Sequence, residues 1–288
     1  MLKKCGVIFT KMSGSGNDFI VIDNRKKIVR NASVFAKKYC HRKHGIGADG
    51  LLLVEKATRS ITDFRMVYYN SDGSRASFCG NGARCIAIFA YLNKIATAKM
   101  TFDSDVGIIP AEIADADLAA RYNVKVKMPA PKHFNMDFDI EVLGKTFKAS
   151  FVDTGVPHAV IFMESLRKQG YNIEKIDVHN LGSAIRFHKK FQPAGTNVNF
   201  VKVIGKNKLH VRTYERGVEA ETLACGTGIV ASSIISVLKN YVSSPVSVLT
   251  QGGETLKVHL ENVVQPSDGY FHDVFLEGKV VVIFEGKI

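Results

Sequence analysis

The chain of 288 residues lacks several things, and each absence narrows what it can be. It holds no apolar run of the roughly 18 to 20 residues that a membrane-crossing helix needs, so no membrane partner is expected. Its start, Met1-Leu2-Lys3-Lys4-Cys5-Gly6-Val7-Ile8-Phe9, turns polar again by Lys11, too soon for the apolar core of a secretory leader. Its five cysteines, Cys5, Cys40, Cys79, Cys85 and Cys225, are odd in number and show no paired extracellular spacing. The expectation is reduced thiols in a cytoplasmic protein. Cys40-His41-x-x-His44 has no second ligand pair at zinc-site spacing, and no metal is expected. Acidic residues are scarce beside basic ones, 27 against 39, which gives a formal charge of +12. That charge would attract an anionic surface, but it is scattered and carries no nucleic-acid-binding signature. Its densest patch, Lys37 to His44, fits the C-terminal end of a short helix, where the dipole favours cations.

What is present is a composition that is 46% hydrophobic and 23% charged, enough to bury a large core in two domains. Strand-like segments dominate, among them 19–23, 51–55, 63–69, 108–113, 124–128, 159–162, 199–203, 209–214, 246–250, 255–260 and 280–284; Phe64, Met66 and Tyr68 show the period of two. Helices are expected only near 33–43, 83–93, 174–190 and 228–240. This is an α+β pattern of mostly antiparallel sheet around single helices. The tight proline pair Pro129-Ala130-Pro131 marks the linker. Gly45-Ile46-Gly47-Ala48-Asp49-Gly50 matches the spacing of a dinucleotide-binding loop, but an expected helix precedes it and a strand follows, the reverse of the required order. It reads as a turn.

Two short runs carry the chemistry. Cys79-Gly80-Asn81-Gly82 and Cys225-Gly226-Thr227-Gly228 each put a cysteine and two glycines just ahead of an expected helix, about half the chain apart. Both helices are apolar or small almost all round, the mark of burial. At a helix N-terminus the unpartnered N–H groups and the dipole favour negative charge, and a thiol pKa falls from about 8.5 toward neutrality. Uncovered glycine N–H groups can also receive a carboxylate. One such run alone is as readily a helix-capping turn. Two matched copies point to an acid/base pair of thiols serving one substrate.

The halves match further. Tyr69-Asn70-x-Asp72-Gly73 before Cys79 parallels Tyr214-Glu215-Arg216-Gly217 before Cys225, and Gly16-Asn17-Asp18-Phe19 parallels Gly155-Val156-Pro157-His158. Such a repeat implies two similar domains with the site between them. The expected division is residues 1–128, completed by a C-terminal strand at about 276–288, and residues 129–275.

Together these residues resemble the diaminopimelate epimerase family, nearly end to end. The resemblance rests on Gly14-Ser15-Gly16-Asn17-Asp18-Phe19, Asn70-Ser71-Asp72-Gly73, Cys79-Gly80-Asn81-Gly82-Ala83-Arg84-Cys85, Gly155-Val156-Pro157-His158, Gly195-Thr196-Asn197-Val198-Asn199-Phe200, Tyr214-Glu215-Arg216-Gly217 and Cys225-Gly226-Thr227-Gly228. It implies two pseudo-symmetric domains, each an antiparallel barrel around a central helix. The implied activity is epimerisation of LL- to meso-diaminopimelate without cofactor, for lysine and cell-wall precursors. Residue by residue it makes Cys79 and Cys225 the bases and His158 and Glu215 the groups that tune them. Gly80, Asn81, Gly226 and Thr227 would receive the reacting carboxylate, while Asn17, Asn70, Asn197, Glu215 and Arg216 would hold the substrate. Val156 stands where many members carry asparagine, and Gly50 where some carry glutamine. A homodimer with a small-molecule substrate is the expected assembly. Taken from the residues alone, His158 also fits a hydrogen-bonded strand histidine and Asn70 a turn former. A proline or hydroxyproline racemase of the same fold, a thiol redox protein and a basic nucleic-acid-binding module remain as alternative readings.

Overall fold

Strand-forming residues organise the chain into two compact units, Met1–Lys127 with Glu277–Ile288, and Met128–Leu276. The computed structural model describes residues 6–116, 121–166, 170–263 and 271–288, so Cys5 lies outside the described residues.

In the first unit, β1 (Ile8–Gly14) and β2 (Asn17–Asp23) form a hairpin. Its two-residue turn, Ser15-Gly16, has φ of 53° and 85°, the positive values that let a hairpin keep the strands' right-handed twist. Helix α1 (Ala32–Tyr39) leads to β3 (Gly50–Glu55), parallel to β2. The run Leu51-Leu52-Leu53-Val54 is buried throughout, as a strand covered on both faces must be. β4 (Phe64–Asn70) runs antiparallel to β3 and carries the short β5 (Arg75–Ala76). Helix α2 (Gly80–Leu92) follows, then β6 (Lys99–Ser104), parallel to β4, with β7 (Gly107–Ala116) and β8 (Arg121–Lys127) antiparallel in turn. Every residue of α2 from Gly80 to Ala90 is buried. Removing Ile86 and Ile88 from water stabilises the unit by about 1.5–3 kcal/mol each.

The second unit opens with the antiparallel strands β9 (Lys132–Val142) and β10 (Lys145–Asp153). It continues through β11 (Pro157–Phe162), α3 (Met163–Leu166) and α4 (Val178–Arg186) to β12 (Asn197–Gly205), β13 (Lys208–Glu215) and β14 (Ala220–Thr222). Helix α5 (Gly226–Leu238), β15 (Val246–Thr250) and β16 (Thr255–Val263) complete the repeat. The series β1, β2, β3, β4, β5, α2, β6, β7 is reproduced by β10, β11, β12, β13, β14, α5, β15, β16, with each antiparallel or parallel pairing the same. The long β17 (Phe271–Lys287) starts in the second unit and ends in the first, where Val280 to Lys287 pair with β1. Among the described residues no helix is long and apolar enough to cross a membrane.

The structure corrects some local expectations. Both central helices begin at the glycines, at Gly80 and Gly226, instead of three and two residues later. The first turn has N–H groups with no intrahelical partner in any case, so glycine there sacrifices little. At Gly228 a Cβ would also lie 2.3 Å from Asn199 Oδ1, so a side chain does not fit. The helix expected over 174–190 is the shorter α4 followed by a 3-10 turn at Lys189–Phe191. Strands β1, β6, β9 and β10 lie outside the expected strand segments. β9 buries only Ile140 and Val142 and is broken by positive φ at His133 and Asp137, which leaves little apolar signal.

Candidate active site

Each unit holds one cysteine at the N-cap of its central helix, and the two surroundings are built from different residues. In the first unit Cys79, half-buried, caps α2 in an extended conformation, φ −147° and ψ 118°. Its Sγ accepts from the Gly82 N–H at 3.4 Å, the place a serine or aspartate oxygen takes in ordinary caps. The first helical bond runs from Ala83 N–H to Cys79 O. The Gly80 and Asn81 N–H groups therefore have no partner within the helix and remain for a ligand.

Asn17, first in β2, stands beside this terminus. Asn81 Nδ2 donates to Asn17 Oδ1 at 2.6 Å, and Asn17 Nδ2 donates to Asp49 Oδ2 at 3.1 Å. Behind them lies Arg84, fully buried on the second turn of α2. Its Nη2 donates to Asn81 Oδ1 at 2.8 Å and to Ser15 Oγ at 2.6 Å. Arg42 pairs with both Asp49 and Asp18, and Lys11 pairs with Asp18 at 2.8 Å. Burial pushes the Asp18 carboxyl up, but Arg42 and Lys11 outweigh it and hold it at about 2. Asn70 ends β4 opposite Gly50, and its Nδ2 donates to Ser74 Oγ at 3.0 Å within the following turn. A Cβ at Gly50 would lie 2.5 Å from the Tyr68 ring and 2.7 Å from Tyr69 O, so a glutamine cannot stand there unless Tyr68 moves.

In the second unit Cys225, buried, caps α5 with φ −115° and ψ 106°, but its sulfur makes no cap hydrogen bond. It stands 3.5 Å from Thr227 Oγ1 and beside the Glu215 carboxyl. Burial raises Glu215 above the ordinary carboxylate range, with Thr222 and Cys225 pulling the other way. Asn197 spends its amide on the backbone: Nδ2 donates to Pro157 O at 2.9 Å, and Oδ1 accepts from Arg216 N–H at 2.8 Å. That clamp fixes the Glu215-Arg216 turn against β11 and β12. The Arg216 guanidinium donates to Ala194 O at 3.0 Å.

His158 pairs with Asn197 in register and is fully buried. Asn199 donates to Ala159 O and accepts from Thr213 Oγ1, which fixes its amide and makes His158 Nδ1, at 3.1 Å, the acceptor. The proton of the neutral ring is then on Nε2, which is buried without a hydrogen-bond partner among the described residues. Burial, with Arg216 adding repulsion, lowers the His158 pKa to about 3. The imidazole is neutral at physiological pH.

The structure thus groups Asn17, Gly80 and Asn81 with Cys79, and Glu215, Gly226 and Thr227 with Cys225, while His158, Asn197 and Arg216 pack around the same strand ends of the second unit. Arg84, Asp49, Ser15 and Asn199 belong to these centres and were not singled out by the sequence reading. An arginine inside an otherwise apolar helix was the available signal, since a buried cation demands acceptors. Among the described residues no group of three His, Cys, Asp or Glu side chains could hold a metal.

Comparison with known proteins shows the family of the chain. A family model described as diaminopimelate epimerase matches residues 9–134 and 150–270. The diaminopimelate epimerase of Aquifex aeolicus is 42% identical, covering 97% of this chain and 97% of its own. That of a Hydrogenobaculum species is 40% identical over 98% of both chains. Among solved structures, a probable proline racemase from Agrobacterium radiobacter aligns with a TM-score of 0.72 over 98% of this chain and 92% of its own, at 13% identity. That likeness shows the two-domain fold alone.

Proposed function

The chain belongs to the diaminopimelate epimerase family, and from that premise we propose that it interconverts LL- and meso-diaminopimelate with Cys79 and Cys225 as paired acid and base. The observation that carries this reading is a cysteine at the N-cap of the buried central helix in each of two matched units. In each direction one thiolate takes the α-proton and becomes a thiol, while the other thiol delivers its proton to the opposite face and becomes a thiolate. Atoms balance, and the stereocentre inverts.

The α-proton of an amino acid is very weakly acidic, so the developing carbanion needs its charge spread onto a stabilised carboxylate. The N–H groups of Gly80 and Asn81, and of Gly226 and Thr227, with two helix dipoles behind them, supply that stabilisation. Glu215, kept high by burial, accepts from the Cys225 thiol. His158 acts as a neutral N–H donor, its buried Nε2 being in want of an acceptor such as a thiolate. Asn17, Asn70, Asn197 and Arg216 hold the remainder of the substrate. The same reading places the enzyme in the cytoplasm as a homodimer that uses no metal or pyridoxal cofactor.

The test is incubation of the purified, reduced protein with LL-diaminopimelate in D2O, following α-deuteration and stereochemistry. Formation of meso product with one deuterium at the inverted carbon is expected. Comparable rates on proline, or dependence on an added metal, would overturn the assignment.

A further inference from the structure

From the hydrogen bonds around Asn17 and Asn81 we infer that Arg84 and Asp49 are positioning residues that fix the polarity of both amides, so that this centre offers the substrate N–H donors and selects a carboxylate. The inference rests on the proposed function for its substrate and goes beyond it in assigning two residues and a rule of selection.

An asparagine amide presents an acceptor on one side and a donor on the other, and in isolation either orientation is open. Here a chain of bonds removes the choice. At one end stands a guanidinium, which can only donate: Arg84 Nη2 reaches Asn81 Oδ1 at 2.8 Å. That puts Asn81 Nδ2 on the far side, where it donates to Asn17 Oδ1 at 2.6 Å. Asn17 Nδ2 then faces Asp49 Oδ2 at 3.1 Å. Asp49 closes the chain as a group that only accepts, since its other oxygen takes the Arg42 guanidinium at 2.7 Å. Reversing either amide would oppose donor to donor at Arg84 or acceptor to acceptor at Asp49.

Both carbonyl oxygens are therefore turned toward donors inside the protein, Asn81 Oδ1 to Arg84 and Asn17 Oδ1 to Asn81. Each Nδ2 has used one of its two hydrogens in the chain and keeps one to give. With the Gly80 and Asn81 backbone N–H groups, the centre gathers several N–H donors. An anionic carboxylate satisfies such an array better than an ammonium, because the amide hydrogens are free to face it while the amide oxygens face inward. Arg84 adds a geometric tie. Its Nη2 also holds Ser15 Oγ at 2.6 Å, so one buried guanidinium joins the hairpin turn that delivers Asn17 to the helix that bears Cys79. Ser15, with φ of 53°, occupies a conformation that a serine does not favour unaided.

The experiment compares wild type with Arg84→Met, which keeps the bulk and removes the donor, and Arg84→Lys, which restores a donor-only end. In folded Arg84→Met, KM for diaminopimelate should rise about 10- to 100-fold, the value of a hydrogen bond to a charged group, with kcat within about 3-fold. Arg84→Lys should recover most of the rise. Asp49→Asn, at the less buried end, tests the same chain if Arg84→Met does not fold, and should raise KM about 3- to 10-fold. A readout without turnover is the exchange of the Asn17 and Asn81 side-chain amide protons, followed by NMR on labelled protein. They should be protected in wild type and exchange faster by about 10-fold or more in either variant. Unchanged KM and unchanged exchange in a folded variant would overturn the positioning role, as would equal behaviour of Arg84→Met and Arg84→Lys. Wild type inactive on diaminopimelate but showing the expected exchange pattern would instead sink the proposed function and leave the polarity chain standing.

Discussion

The two cysteine centres share a backbone and differ in what surrounds the sulfur. Both cysteines cap a thirteen-residue buried helix in extended conformation, after matching strands and turns. In the first unit the Cys79 sulfur accepts a hydrogen bond from the helix, a setting that suits a thiolate. In the second, the Cys225 sulfur makes no cap bond and lies beside a carboxyl whose pKa is raised by burial, a setting that suits a thiol with its proton directed at Glu215. Duplication supplied the same position twice, and the side chains around it made the two members unequal. In the proposed reaction each turnover begins with one thiol charged and the other not, and ends with those states exchanged.

The sharpest way to break the comparison is to remove each sulfur. Cys79→Ala and Cys225→Ala should each cut turnover by at least about 1,000-fold, equivalent to roughly 4 kcal/mol, since either direction needs both proton positions. Near-normal epimerisation by either variant would show that one centre works alone. The variants should separate, however, in α-deuterium exchange without inversion. A variant retaining Cys79 keeps the acceptor setting and should exchange the α-proton of one stereoisomer faster than the other does.

The second contrast is in response to acid. His158 is neutral and buried, with a pKa near 3 against an ordinary value of 6.5. Between these values the unfolded chain binds a proton that the folded unit refuses, so this contribution to stability is complete above about pH 6.5 and is lost as pH falls toward 3. The loss is on the order of 4 kcal/mol by the bottom of that window, at about 1.4 kcal/mol per pH unit. In the first unit the most strongly lowered carboxyl is that of Asp18, brought from 3.8 to about 2, whose contribution persists until pH drops below the ordinary aspartate range. Hydrogen exchange at pH 7 and pH 4.5 should therefore show loosening first around β11 and β12, with β1 and β2 still protected. Loosening of both at the same pH would refute the assignment of His158 as buried and neutral. A His158→Gln variant should flatten the upper part of the acid limb.

How far this asymmetry was legible in the sequence depends on the residue. The cysteines, their glycines and the repeat were plain, because a thiol before an apolar helix occurs twice and the preceding strands align. The twofold series of strands followed in outline, although β9 gives little signal because it buries only Ile140 and Val142, and β10, which buries Phe147, Ala149, Ser150 and Val152, breaks the alternation where Ala149 and Ser150 are buried side by side. What the sequence hid were partners remote in the chain. Asp49 meets Asn17 across 32 residues and Ser15 meets Arg84 across 69, so their roles depend on the hairpin and helix having already come together. Arg84 stands five residues after Cys79 in a helix otherwise apolar or small almost all round, and only the fold makes it a buried cation with acceptors around it. The neutral state of His158 was likewise invisible, since it follows from complete burial and from the amide of Asn199.

A smaller expected effect sharpens the role of the carboxyl. Glu215→Gln keeps the shape and an acceptor beside Cys225 but removes the negative charge. Because burial holds Glu215 high and the Cys225 thiol opposes that rise, the two protonation equilibria are linked. The variant should lower kcat by about 10- to 100-fold, or roughly 1.4 to 2.8 kcal/mol, and displace one limb of the pH-rate profile. A uniform fall in rate at unchanged pH dependence would reduce Glu215 to a packing residue.

The smallest effect belongs to Cys85, which separates a thiol at a helix end from one inside a helix. It lies six residues beyond Cys79, fully buried in α2, and its Sγ would be only 3.2 Å from a Cβ at Gly14. The helix N–H groups at that position are spent on the turn before, so the thiol lacks what a helix N-terminus offers. Cys85→Ala should leave kcat and KM within about 2-fold and lower stability by about 1 kcal/mol, the cost of a small cavity. Alkylation makes the same distinction chemically. A brief, limiting treatment of the native protein with iodoacetamide should label half-buried Cys79 first, with loss of activity. Cys85 should stay unmodified, as should Cys40, whose thiol burial pushes up to about 12. Labelling of Cys85 ahead of Cys79, or inactivation by Cys85→Ala alone, would mean that the helix N-cap is not what makes a cysteine of this protein reactive.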